Sequence, residues 1–525
     1  MLAVLIIVAL AGGLAALSVA GQLPGIAAAV GLGTAAAALV LSLSLKPEDS
    51  LLIGTSALAS SAAVRLLAIA WAGGLVLLGL LGGSVAARPA ATEPGETRSA
   101  ALPSRAAREG RRAEGVGGRW SASAAITGPG LVTLAAGLLA LTVDDPTVAF
   151  AALAIGGLVA ILVPALASRL VGRDEAPVAM AAGSVLATVG AGLGALVLVA
   201  WSQSGVGPLG SGTEAGIQDP ALEAAVGLAV IAMAGAVILR SGAIPAHLWA
   251  ARLVGGVPAP AVPSILGWGA AAFTLVAVAW SQGALAAGSF ALDDLDRWVV
   301  VAVALASVLL GGLAAMLHDD LEHVLGYSIV QDAGVALFAF AALRGEVAGA
   351  LATWLIATAA LKTALAGWIA TTRWAFGAHR VSELHGWARR APLLGLAYLL
   401  VLLGSIGLPG TGVFDARVAL IGGALPGWLG TLVVIAALSP IVALGRLFAA
   451  GLQAASPDVA AASPARLGRF AADLGTWSRG GPRWWLRTGA AMARTNEGFG
   501  VAVASVLLAV LGLAVAIVGV GGPAA

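Results

Sequence analysis

Apolar stretches of about twenty residues, separated by short polar turns, run through the chain from end to end. A helix that crosses a bilayer needs about 20 mostly apolar residues. By that measure fourteen spans are predicted, near 1–20, 24–45, 62–84, 125–143, 146–168, 177–201, 221–253, 262–280, 298–317, 321–343, 347–371, 391–423, 427–450 and 498–520. Two of them, 221–253 and 391–423, are too long for one straight crossing.

The two overlong spans echo one another. The first reads Arg240-Ser-Gly-Ala-Ile-Pro245 and the second Gly404-Ser-Ile-Gly-Leu-Pro409, each with Ser four residues before Pro and Gly between. Proline removes a helical N–H and clashes with the preceding turn, so each span is predicted to break at mid-depth, at Pro245 and Pro409. Broken helices at corresponding places in two repeats point to an ion or substrate path. Pro and Gly are also simply common in membrane helices, which is the plainer reading. If spans four to eight and nine to thirteen are the repeats, each has five spans, and an odd number inverts one against the other. The expected fold is therefore all-α and polytopic. It has N-terminal helices over 1–84, five-helix repeats over 125–280 and 298–450, and a last helix over 498–520.

Two polar segments interrupt the pattern. Residues 85–124 hold seven arginines (88, 98, 105, 108, 111, 112 and 119) among Ala, Gly, Pro and Glu, a composition that cannot bury a core and reads as a disordered loop. Residues 451–497 mix Arg466, Arg469, Arg479, Arg483, Arg487 and Arg494 with Trp477, Trp484 and Trp485, which suits an amphipathic helix in the membrane interface in contact with lipid. Arginine also sets the orientation. The loops after spans 3, 5, 7, 11 and 13 carry nearly all the loop Arg, so the positive-inside rule places odd-numbered loops in the cytoplasm and both termini outside. The first ten residues lack the basic flank of a signal peptide and read as a retained span.

Composition agrees and excludes. The chain is 60% hydrophobic and 10% charged, where soluble domains carry about 25% charged residues. No cysteine is present, which excludes disulfides, thiolate zinc and iron–sulfur ligation in this chain. Five histidines without metal-site spacing, and no dinucleotide fingerprint or haem-ligand pattern, lead us to expect no metal, no cofactor and no nucleic-acid partner.

Of the 28 Lys and Arg residues only Lys46 and Lys362 are lysines, and Lys362 lies in the middle of the apolar stretch Leu351–Ala370. A charge at the centre of a membrane helix costs about 2.5–3.5 kcal/mol on insertion scales, and such residues face a partner or a wet cavity. Asp332 on the neighbouring span supplies an acid. The two can pair, either to pass a proton or only to lock two helices together.

These residues resemble the antiporter-like membrane subunits of complex I (subunits L, M and N of bacterial NADH:quinone oxidoreductase) and of multi-subunit Na+/H+ antiporters. The resemblance covers roughly 125–425. Its clearest piece is Arg240-Ser-Gly-Ala-Ile-Pro-Ala-His247-Leu-Trp249 followed by Gly256-Val-Pro-Ala-Pro260. Next come Asp320-Leu-Glu-His323-Val-Leu-Gly-Tyr327-Ser328, Lys362 in the eleventh span, and Leu408-Pro409-Gly-Thr-Gly412-Val-Phe414 at the second break. The resemblance implies fourteen helices, partner membrane subunits, a bacterial inner-membrane location, and protons, or Na+ in exchange for protons, moving along buried charged residues. It makes the chain a translocase subunit without an active site of its own.

Departures from that pattern matter. The family's pumping members carry a Glu in the fifth span; here Phe150–Leu158 holds no acid. The family lysine in the seventh span is Arg240, which does not deprotonate in proteins. The first half thus reads as disabled for proton transfer. The second keeps Asp332, Lys362, His323, Asp415 and Arg417. His247 is either a switchable base or the partner of a broken-helix carbonyl, with the second favoured. A scaffold that has lost pumping, as in a bicarbonate-uptake complex, and an independent secondary transporter remain the alternative functions.

Overall fold

The computed structural model describes residues 1–53, 56–85, 105–170, 176–204, 220–288, 294–343, 347–376, 378–453 and 489–520. Helices α1 (Leu2–Val19), α2 (Pro24–Leu43) and α3 (Ala62–Val85) open the chain. Between α2 and α3 lies an antiparallel hairpin, β1 (Ser50–Ile53) and β2 (Ser56–Ala59), with Leu51 opposite Leu58. Then follow α4 (Arg105–Thr142), α5 (Pro146–Leu170) and α6 (Ala176–Gln203). The first overlong span is two helices, α7 (Pro220–Ser241) and α8 (His247–Gly256). A 3₁₀ turn (Ala259–Ala261) and a π-helical turn (Pro263–Trp268) lead into α9 (Gly269–Gly288). Next come α10 (Asp294–Leu317), α11 (Leu321–Ala341), α12 (Val347–Phe376) and the short α13 (Trp387–Arg390). The second overlong span is likewise two helices, α14 (Pro392–Ile406) and α15 (Gly412–Ala424). Helices α16 (Trp428–Ala436) and α17 (Pro440–Leu452) precede a last helix, Gly489–Val518.

Among the described residues twelve stretches are long and apolar enough to cross a membrane. Two shorter apolar helices, Ala187–Gln203 and Pro392–Ile406, fall where the sixth and twelfth spans are predicted. Three expectations need correcting. Residues 105–124 are not a loop: they extend α4 upstream of the predicted start at 125, while 86–104 lie outside the described residues. The thirteenth span is two helices, because Pro440 opens α17 and cannot supply the N–H that would continue α16. The last helix begins at Gly489 rather than 498; of the predicted interfacial segment, 454–488 lie outside the described residues.

The core is organised around α12, which is buried along nearly its whole length. Trp268 stacks on Trp71 of α3 with ring centres 5.4 Å apart, and its indole donates to Thr363 of α12 at 2.9 Å. Helix α11 is pressed onto α10 where side chains are smallest. A methyl group at Gly334 would stand 2.8 Å from the Val308 amide nitrogen and 2.9 Å from the Ala304 carbonyl oxygen, so only glycine permits this approach. The turn between α10 and α11 also binds the segment after α12. The Val381 amide donates to the Asp319 carbonyl at 2.7 Å, the Leu321 amide to the His379 carbonyl at 3.1 Å, and the Ser382 hydroxyl to the Asp319 carboxylate at 2.6 Å. The turns that follow the ninth and eleventh predicted spans therefore lie at one end of the bundle.

Candidate functional site

Lys362 occupies the midpoint of α12, and its ammonium lies 2.9 Å from a carboxylate oxygen of Asp332 on α11. The two side chains are only 4% and 13% exposed, which leaves them paired away from bulk solvent. Removing either partner would leave an uncompensated charge in the interior, a costly arrangement. Both residues line a small cavity bounded also by Ser241, Thr274 and Thr358. Its volume, taken as space for the centres of water-sized spheres, is about 30 Å³. A water needs roughly 10–15 Å³ on this measure, so the cavity accommodates about two. Its walls are mostly apolar, but the Ser241, Thr274 and Thr358 hydroxyls and the ion pair itself give such waters partners, so the pair faces a small hydratable space.

The cavity reaches Ser241, the last residue of α7, and so touches the first helix break. There the chain turns at Gly242, in the left-handed region with φ 68°. The Ile244 amide, freed from the helix, donates to the Ser307 hydroxyl at 3.1 Å. The Trp249 indole donates to the Leu239 carbonyl at 3.0 Å. This is the carbonyl role anticipated for His247, and tryptophan fills it instead. His247 opens α8 half-buried and makes no hydrogen bond among the described residues. Pro245 is exposed within the unwound segment.

The second break carries Pro409 between Gly407 and Gly410, both at positive φ, 64° and 87°. Arg417, on α15, bridges it. Its guanidinium donates to the carbonyls of Ile406 at 2.8 Å and Ser405 at 3.2 Å, satisfying acceptors that the end of α14 leaves free. The same group lies over the Trp354 ring. Trp354, Thr358 and Lys362 recur every four residues on α12 and so share one face of it. That spacing was a usable sequence signal for Trp354 and Thr358, which the reading of charged residues alone missed.

Other predicted residues lie apart. Asp415 is exposed on the first turn of α15 and does not join Arg417 in the interior. Ser328 is buried and donates to the Leu325 carbonyl, a local helix contact. His323 and Tyr327 belong to a separate cluster toward the end of the bundle, about 13 Å and about 8 Å of helix from Asp332 respectively by the rise per residue. There His318 stacks between Tyr327 and His323, at ring-centre distances of 4.8 and 5.1 Å. Asp320 caps α11 by accepting from the Glu322 and His323 amides, and lies 3.1 Å from the His323 ring. Burial pushes the His318 imidazole below the usual histidine range, and His323 beside it adds to the effect. Burial raises Asp320, but the hydrogen bonds from His323 outweigh it and hold the carboxyl below its ordinary value. Sequence reasoning overlooked two further contacts here: Arg446 of α17 donates to the His318 carbonyl, and Arg373 pairs with Glu322.

Arg240 is a third buried cation among the described residues, beside Lys362 and Arg417. It is 2% exposed and donates to the Ile265 carbonyl of the π-helical turn at 2.8 Å. Gly157 of α5 faces it, and no acid stands there.

Comparison with known proteins places these features. Residues 213–442 match the family described as NADH:quinone oxidoreductase/Mrp antiporter, transmembrane. NADH-quinone oxidoreductase subunit N 1 of Streptomyces griseus is 35% identical over 257 residues, 47% of this chain and 51% of that protein. Subunit N of Acidothermus cellulolyticus is 30% identical over 224 residues, 41% of each. The chain spans about half the length of the curated relatives it matches. In solved structures the fold is similar to a chain of the Mrp complex from Dietzia sp. DQ12-45-1b, with TM-score 0.61 and 17% identity over 98% of this chain and 97% of that one. It is equally similar to a chain of respiratory complex I from Thermus thermophilus, with TM-score 0.60 and 16% identity over 97% and 99%. Residues 213–442 thus match the membrane family described for NADH:quinone oxidoreductases and Mrp antiporters, in a multi-pass chain whose fold is similar to chains of both kinds of assembly along nearly its whole length.

Proposed function

We propose that this protein is a membrane subunit of a complex I-like or Mrp-like assembly, and that its second half relays protons through Asp332 and Lys362. The observation that carries this reading is the buried ion pair at 2.9 Å facing a hydratable cavity beside a helix break. Lysine is the one interior cation here able to release a proton; Arg240 and Arg417 stay charged and act as fixed fields. A proton arriving at Asp332 breaks the pair. The freed ammonium then turns to cavity water and passes its proton on. Electron transfer or cation exchange belongs to partner subunits. The subunit resides in a bacterial inner membrane, with both termini on the outer side, as the arginine distribution supports.

The test is proton flux in vesicles reconstituted with the purified assembly. Lys362→Ala and Asp332→Asn are each expected to cut flux while the assembly stays intact. Unchanged flux in both variants removes the pair from the path. A second reading, a non-pumping scaffold, is favoured by Arg240 standing opposite Gly157 with no acid. It expects no flux attributable to the native subunit, and expects these substitutions to alter only partner binding.

A further inference from the structure

The joint between α16 and α17 leaves a backbone acceptor without its helical donor. In an unbroken helix the Ile441 amide would reach the Ala437 carbonyl. Instead it donates to the Leu438 carbonyl at 2.9 Å, Pro440 has no N–H to offer, and no backbone amide among the described residues reaches Ala437. A side chain from another helix takes that place. The Gln331 side-chain amide of α11 donates to the Ala437 carbonyl at 3.2 Å, from a residue only 2% exposed. Within a bilayer every backbone acceptor must find its donor inside the protein, so this contact fastens α11 to the joint.

Gln331 is also held from α10. A methyl group at Gly311 would stand 2.8 Å from the Gln331 backbone nitrogen and 3.2 Å from its Cα. One at Gly312 would collide with the Ser439 hydroxyl and lie 3.4 Å from Gln331 Cδ. Two adjacent glycines thus bring the α10 backbone against α11 at this residue and clear the space in which its side chain crosses to the joint. The Ser439 hydroxyl beside it has no hydrogen-bond partner and does not share the contact. The next residue along α11 is Asp332, about 100° further around the helix. Its carboxylate meets Lys362 of α12 at 2.9 Å, and its carbonyl accepts from the Trp354 indole at 3.0 Å. A rotation or slide of α11 that lengthens one of these contacts displaces the others with it.

We infer that Gln331 is a positioning residue for Asp332: its amide pins α11 to the joint between α16 and α17 and so sets where the carboxylate stands relative to Lys362. Gln331 carries no charge and passes no proton. It acts through the helix that it shares with Asp332. The inference deepens the relay reading and rests on it only where flux is measured.

The test uses the full chain, purified in detergent with its partner subunits where these co-purify. Gln331→Met keeps the length of the side chain and removes the donor; Gln331→Asn keeps the amide and is one methylene shorter. Infrared spectra of protein carrying isotope-labelled aspartate give the Asp332 carboxylate stretch as the band lost in Asp332→Asn. That band is expected to move in both Gln331 variants. It should stay in place in Ser439→Ala, which alters the same joint without touching the contact. Proton flux in reconstituted vesicles should fall several-fold in the two Gln331 variants and stay native in Ser439→Ala. A native assembly without flux would defeat the relay reading and leave the infrared result to decide this one. An Asp332 band at its native frequency in a folded Gln331→Met or Gln331→Asn protein overturns the inference, and so does an equal displacement in Ser439→Ala.

Discussion

The guanidinium of Arg417 stands 5.1 Å from the centre of the Trp354 ring, and the nitrogen of that indole donates to the backbone carbonyl of Asp332 at 3.0 Å. One side chain on α12 therefore holds the cation of the second helix break at a fixed place relative to the acid that pairs with Lys362. The break, the tryptophan and the ion pair form one mechanical unit. Trp354→Ala is expected to lower stability by about 3–5 kcal/mol, as for large aromatic deletions in a packed core. Trp354→Phe keeps a ring under Arg417 but loses the N–H and part of the indole's bulk, so it should cost less than the alanine change, about 1–3 kcal/mol. Thermal unfolding in detergent measures both; equal losses would show that the ring face contributes nothing.

Arg417 closes the break by donating to Ser405 and Ile406. Arg417→Gln removes the charge and at least one of the two contacts. Hydrogen bonds that involve a charged group contribute about 1.5–3 kcal/mol each, so a loss of that size is expected. Hydrogen exchange should rise at the carboxyl end of α14 and along 407–411, and not at the first break. Exchange that rises equally at both breaks would mean that Arg417 acts on the whole bundle rather than locally.

The ion pair itself makes a non-additive prediction. Asp332→Leu and Lys362→Leu each leave one buried charge without its partner, at an expected cost of about 3–5 kcal/mol. The double variant removes both charges and should cost much less than the sum, since an apolar replacement of a whole buried pair is often neutral. Unfolding measurements on the four proteins give the coupling directly. Additive losses would mean that the two side chains do not meet in the membrane.

Much of this arrangement was legible because it depends on local chemistry. Pro245 and Pro409, each with Ser four residues before and Gly between, announce a helix that cannot continue, and both helices stop there. Lys362 stood out because a lone lysine in an apolar run needs a partner, and Asp332 sat on the next span. Other features depend on what lies nearby in space. His247 and Trp249 both follow the first break, and only packing decides that the indole reaches Leu239. Asp415 and Arg417 are two residues apart, so helical geometry turns one outward and the other into the core. The hairpin over 50–59 has strands of four residues each, too short to show a period. The break before α17 did have a signal, Pro440, but it falls inside an apolar run of ordinary span length, which the length criterion reads as one crossing.

The cluster at the end of the bundle leads to a prediction about pH. The folded Asp320 carboxyl titrates below its ordinary value of 3.8. Its stabilising contribution is therefore full above that value and is lost as pH falls through the lower folded value. The His318 imidazole titrates below 6.5, so the unfolded chain binds its proton more readily, and stability falls as pH drops from that value. Both groups make stability rise with pH, in separate windows. Asp320→Asn should flatten the dependence in the carboxylate window and, because Asp320 holds the His323 imidazole above its ordinary value, should also change the slope near the histidine range. His318→Phe, which keeps an aromatic ring for the stack with Tyr327 and His323, should flatten it only just below 6.5. Unfolding midpoints followed across both windows test this. A His318→Phe protein that still loses stability with the native slope just below 6.5 would show that the imidazole contributes nothing to it.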